Sequence, residues 1–188
     1  MPRGGVVCEG PRVNTGERNE VLLIAGRSGV GKSTVAWEVS AVLRAAGAAH
    51  CLVEGDLMDQ VHPAPPDDPD RSAITERNLA AIWANYAALG QRRLIYTNTV
   101  SVLEGAMFRR VLGADVRIVP ALLTADDATA RARLTGREIG SQAQAHIRRS
   151  AHMARHLDRH APPETVRVAT DGRTVVDIAR EVVAATGW

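Results

Sequence analysis

The segment Val21-Leu-Leu-Ile-Ala25 is continuously apolar and runs straight into Gly26-Arg-Ser-Gly-Val-Gly-Lys-Ser33. A short apolar run without alternation is the mark of a strand buried on both faces. From Thr34 to Ala46, helical spacing puts Val35, Val39, Val42 and Leu43 on one face, and Gly47 is placed to end that helix. The eight residues between strand and helix match G-x-x-x-x-G-K-[ST] in full. Glycines there let the backbone wrap so that its N–H groups converge on phosphate oxygens. The helix adds the positive end of its dipole.

The rest of the chain continues the alternation. Strands are expected at His50–Val53, Arg93–Thr97, Val116–Leu123 and Val166–Ala169. The His50–Val53 strand reads as buried, and Pro120 suggests an edge or a bend. Helices are expected at Ala73–Leu89, Val102–Leu112, Asp126–Arg137, Gln142–His160 and Thr174–Ala185. The apolar stripe of the first of these is Ile74, Leu79, Ile82, Trp83, Tyr86 and Leu89. Thr174 and Asp177 resemble a capping box. Strands alternating with helices imply a parallel α/β sheet. Between them, His62 to Asp70 holds four prolines and three acids and cannot form a regular element. It reads as solvent-exposed filler or as a substrate flap.

Composition narrows the class. The chain has 188 residues, 45% of them hydrophobic, which fits one globular domain over residues 20–188 after a mobile tail over 1–19. A formal net charge of +2 is too small to argue for nucleic acid or membrane as the main partner, so nucleic acid is not expected, and neither is a membrane. No apolar run approaches the ~18 residues of a membrane span, and the start lacks a secretory core. Cys8 and Cys51 form no disulfide framework. A cytoplasmic location fits all of this. Of the 23 basic residues, 22 are arginine, and the one lysine is Lys32. A compact ammonium reaches between two phosphates where a planar guanidinium cannot sit the same way.

The candidate site grows from that lysine. Gly26, Ser28, Gly29, Val30, Gly31, Lys32, Ser33 and Thr34 would cradle a nucleoside triphosphate. Lys32 would reach the β- and γ-phosphates, and Ser33 would hold Mg²⁺ through its hydroxyl. Glu54-Gly-Asp56 ends the second strand, where ligands of parallel sheets collect. Alternation would point both carboxylates to one side. Glu54 would then serve the metal, while Asp56 would orient or deprotonate an attacking hydroxyl; the competing reading is a solvated turn. No carboxylate ends the third strand, where Thr97, Asn98 and Thr99 stand. That argues against a hydrolytic switch or motor. Arg133 and Arg137 share a helical face and could cover migrating phosphate, or form a solvated basic face. Arg71, Arg77, Asn78 and Asn98 are candidates to face an acceptor. His146, His152, His156 and His160 tempt a metal reading but lack a carboxylate motif.

The layout resembles the small-molecule P-loop kinases, near gluconate kinase, shikimate kinase, adenylylsulfate kinase and chloramphenicol phosphotransferase. Gly26 to Thr34 is similar to their phosphate loop, Glu54-Gly-Asp56 to their D-x-D element, and Arg133-Leu-Thr-Gly-Arg137 to the R-L-x-x-R at their lid. Thr170-Asp171-Gly172 resembles their adenine-side loop. The resemblance implies a three-layer P-loop fold of sheet order 2-3-1-4-5 with a lid near 134–150. It also implies ATP as donor, Mg²⁺ as cofactor and a small hydroxyl compound as acceptor. The acceptor, ATP against GTP, and a homodimer stay open. The alternatives are a nucleotide-binding ATPase or switch without an acceptor, and a polynucleotide 5′-hydroxyl kinase.

Overall fold

The computed structural model describes residues 18–136 and 143–188. Its centre is the strand Glu20–Ala25 (β1), whose residues from Val21 to Ala25 are wholly buried. It pairs in parallel with Arg93–Thr97 (β3) on one side and Arg117–Thr124 (β4) on the other. Cys51–Glu54 (β2) and Val166–Ala169 (β5) complete a five-stranded parallel sheet of order β2-β3-β1-β4-β5. This is the order expected.

The period-two geometry of β1 sorts the core into two layers. Val21, Leu23 and Ala25 face a cluster with Tyr96, Leu79, Trp83 and Phe108. The last three come from helices Ser72–Ala88 (α2) and Gly105–Leu112 (α3). Leu22 and Ile24 face the opposite cluster, with Val35, Val39, Leu43, Ile178 and Val182. Those belong to Lys32–Ala45 (α1) and Val175–Thr186 (α6). Two further helices, Asp127–Thr135 (α4) and Ala143–His160 (α5), follow β4. A strand covered on both faces has no polar side to show, which is why its sequence does not alternate.

Several expectations need correction. β2 is an edge strand, and Leu52 and Glu54 are only half-buried. The reading as a buried strand holds for Cys51 and Val53 but missed that the strand's outer side has no neighbour. The helix expected from Val102 to Leu112 is a 3₁₀ turn, Ser101–Leu103, followed by α3. Glu104, at φ −101° and ψ 22°, lies outside helical geometry and separates the two. Leu89 is the C-cap of α2 and is 72% exposed, so the apolar stripe stops at Tyr86. Pro120 is not on an edge strand, since β4 lies between β1 and β5. The β5 pairing begins only at Ala121, so Pro120 has a ladder on one side alone, where a proline is tolerated.

Other boundaries hold closely. Gly47 and Gly90 follow α1 and α2 at φ 71° and 86°. The Thr174 side chain accepts from Asp177 N, as a capping residue should. Cys51 is buried, and burial pushes its thiol up to about 12, so it remains a protonated core residue. The tail read over residues 1–19 lies, as far as residue 17, outside the described residues, as do residues 137–142 of the lid expected near 134–150. Among the described residues no helix is long and apolar enough to cross a membrane.

Candidate functional site

The phosphate loop owes its shape to three glycines at positive φ: Gly26 at 145°, Gly29 at 85° and Gly31 at 102°. Two of them also have no room for a side chain. A Cβ at Gly26 would meet Leu123 O at 2.6 Å, and one at Gly29 would meet Ala130 O at 2.7 Å. The loop is thus pressed between β4 and α4. Gly31 is the N-cap of α1, which begins at Lys32 rather than at Thr34. No side chain caps that helix and no acid occupies its first turn. Its first N–H groups and the positive end of its dipole therefore point into the loop. Lys32 is 8% exposed, and its Nζ donates to Gly26 O at 3.0 Å. Val30 is buried beneath the loop, Ser28 turns its carbonyl toward α5, and Ser33 and Thr34 are exposed at its mouth.

Ser33 Oγ donates to Glu54 Oε2 at 2.8 Å, and Thr97 Oγ1 donates to the same oxygen at 3.0 Å. The ends of β2 and β3 and the start of α1 thus deliver a carboxylate and two hydroxyls to one point. Asp56 does not continue the strand. It falls in a 3₁₀ turn, Gly55–Leu57, so the alternation argument for Glu54 and Asp56 stops at Glu54. The carboxyl of Asp56 lies above the ordinary range. The protein atoms around it raise it, Lys32 draws it down, and the charges of Glu54 and Asp59 raise it further.

Arg133 lies on the opposite rim. Its guanidinium donates to Val30 O at 3.2 Å, to Thr170 Oγ1 at 3.0 Å and to Thr170 O at 3.3 Å. One side chain therefore joins the phosphate loop to the turn after β5. In that turn Asp171 accepts from Asp126 N at 3.2 Å, and Gly172 takes φ 67°. Arg137 lies outside the described residues.

Three of the four acceptor-side candidates bond to backbone. Arg71 starts α2 at φ 60° and donates from Nε to Val61 O. Asn78 Nδ2 donates to Met58 O at 2.7 Å. Asn98 Oδ1 accepts from Val100 N at 3.1 Å. Arg77 is exposed, with its charge acting on Asp68. In the histidine run, the His156 and His160 rings stack at 4.3 Å. Among the described residues no three metal-ligating side chains converge.

Residue-pattern reasoning missed Arg27 and Ser150. Arg27 is 4% exposed, donates from Nε to Ser150 Oγ at 2.9 Å and pairs with Asp127. Ser150 Oγ in turn donates to Ser28 O at 2.9 Å. Arg27 fills an unspecified position of the signature, so no motif could flag it.

A family profile described as an AAA domain matches residues 21–172, from β1 to the turn after β5. The chain belongs to the AAA domain family. Among solved structures, this AAA domain is similar to a gluconokinase from Sinorhizobium meliloti 1021, at 19% identity and a TM-score of 0.56. That match covers 91% of this chain and 94% of the other. It is similar to the APS kinase of Mycobacterium tuberculosis, solved with AMPPNP and APS, at 21% identity and a TM-score of 0.55. There the shares are 91% and 99%. The tunicamycin resistance protein of Deinococcus radiodurans gives 17% identity and a TM-score of 0.61, over 90% and 96%. The fold shared with these proteins is the P-loop kinase fold that the motifs suggested. No curated protein matches the chain.

Proposed function

We propose that the chain is an ATP- and magnesium-dependent phosphotransferase that moves the γ-phosphoryl group to a hydroxyl of a small molecule. The observation that carries this reading is the meeting of Lys32, Ser33, Glu54 and Asp56 at the ends of β1 and β2. Magnesium takes hard oxygen ligands and keeps several waters. The Ser33 hydroxyl and the Glu54 carboxylate are oxygen donors 2.8 Å apart at the loop mouth, so the donor set fits that ion. Bound Mg²⁺ would spread the charge of the β- and γ-phosphate oxygens.

The chain's own residues supply the rest. The loop amides hold the phosphates, and Lys32 offsets charge on the group in transit. Asp56 accepts the proton of the acceptor hydroxyl. The new bond joins that oxygen to the γ-phosphorus as the bond to the β–γ bridging oxygen breaks, leaving ADP. Arg133 keeps the loop and the turn after β5 in register. Glu54 already serves the metal side, which leaves Asp56 for the acceptor.

ADP release measured across a panel of hydroxyl compounds tests the reading. Lys32→Ala is expected to lose about 100-fold or more in transfer, the usual cost of removing one electrostatic stabiliser. Asp56→Asn is expected to lose transfer while calorimetry still shows Mg–ATP binding. Full turnover in the lysine variant, or no affinity of the native chain for any Mg–triphosphate, would overturn the proposal.

A further inference from the structure

The peptide between Ser28 and Gly29 is held from outside the phosphate loop. Gly29 has no side chain and lies at φ 85°, and glycine accepts many backbone orientations at little steric cost. The restraint comes from α5. Ser150 is buried there, and its Oγ donates to Ser28 O at 2.9 Å. The same Oγ accepts from Nε of the buried Arg27 at 2.9 Å. Arg27 in turn pairs with Asp127, at the start of α4. One buried hydroxyl thus joins two successive residues of the loop to a helix more than 120 positions away in the chain.

Chemistry fixes the direction of these bonds. A guanidinium donates and cannot accept, and a serine hydroxyl has one hydrogen to give. With Arg27 donating to Ser150 Oγ, that hydrogen goes to Ser28 O. The peptide between Ser28 and Gly29 is trans. A trans peptide is planar, and its N–H points opposite to its C=O. Holding Ser28 O toward α5 therefore turns Gly29 N–H away from α5. Among the described residues that N–H donates to nothing. It stands two residues before the N-cap of α1, in a loop whose N–H groups bind anions by converging. Hydrogen bonds weaken steeply as the donor angle falls below ~120°, so such an amide serves only when it is aimed.

We propose that Ser150, held by Arg27, is a positioning residue for the nucleotide: it aims the Gly29 amide at the bound phosphates, so that α5 helps to set the affinity of the loop. This rests on the Mg–ATP binding in the phosphotransferase reading above. Ser150 touches neither the substrate nor the reacting atoms and acts through the main chain.

The test is calorimetry with a magnesium-bound, non-hydrolysable ATP analogue, on variants that thermal melting shows to be folded at the temperature used. Ser150→Ala leaves every charge in place, so a loss of affinity belongs to the hydroxyl. It is expected to raise Kd by about tenfold or more, the worth of one well-aimed hydrogen bond to a charged group. Ser150→Thr keeps the hydroxyl and is expected to bind much as the parent does. Ser150→Cys has only a weak donor; it is expected to fall between the two, and it carries the test if the alanine variant does not fold. Glu20→Gln is the control for stability alone. It weakens the bonds to Arg117 and Trp188 at the other end of β1 and is expected to leave Kd unchanged. No acceptor enters the measurement. If no hydroxyl compound yields ADP while the alanine or cysteine variant still binds more weakly, the inference stands and the transfer reading falls. An unchanged Kd in those two variants, an equal loss in Ser150→Thr or Glu20→Gln, or no affinity in the parent would overturn the inference.

Discussion

Gly55 shows how a single residue can be dictated by a neighbour far away in sequence. Its backbone is not in the left-handed region, yet any side chain would run into Tyr96 and Thr97 O. Gly55→Ala is therefore expected to destabilise the fold by about 1–3 kcal/mol through overpacking, read from urea unfolding. Gly26 and Gly31 were legible in the sequence because the signature assigns them a task at fixed spacing. Gly55 was read only as the middle of an acidic turn. Its constraint comes from an aromatic ring on another strand, which no local pattern displays. Arg27 was hidden for the same reason, since its partner Ser150 lies 123 positions away.

Among the elements, strands and helices followed from periodicity, and their ends did not always. The start of α2 depends on the proline-rich segment before it. Asp68, 6% exposed, accepts from Ala73 N at 3.0 Å and from Ile74 N at 2.9 Å. One acid of that segment is thus a helix cap, a role its proline-laden surroundings concealed. Asp68→Ala is expected to cost about 0.5–2 kcal/mol, with faster hydrogen exchange confined to the first turn of α2. The attachment of α5 to the phosphate loop is a second element-level device. The Arg27–Asp127 pair is 74% exposed on its acidic side and adds little. The weight falls on the buried bonds through Ser150. Arg27→Ala is expected to cost about 1–3 kcal/mol by leaving buried polar atoms short of partners. Hydrogen exchange should locate the loss of protection in α5.

Across the whole molecule, Glu20 ties the beginning of the sheet to the end of the chain. Its carboxylate accepts from Arg117 at 2.6 Å and from Trp188 Nε1 at 3.1 Å. Burial pushes this carboxyl up, but the bonds from Arg117 and Trp188, with the charges of Arg117 and Arg93, outweigh it and hold it below 4.5. The native value is depressed, so the resulting stability is present above pH 4.5 and is lost as pH falls through the native value. Glu20→Gln should melt lower than the parent at neutral pH, and the two should converge on acidification, as thermal melts across that range would read. The sheet order was expected from the resemblance of several motifs taken together. This clamp was not, because Glu20, Arg117 and Trp188 each look like ordinary surface residues until the strands are laid side by side.

The solitary ammonium of Lys32, tucked against Gly26 O, also makes the chain its own reporter. An endoproteinase that cuts after lysine has a single bond to attack, and that bond opens the first turn of a helix at the heart of the protein. Two fragments of fixed size would then measure how often the loop springs open. A filled loop should slow their appearance.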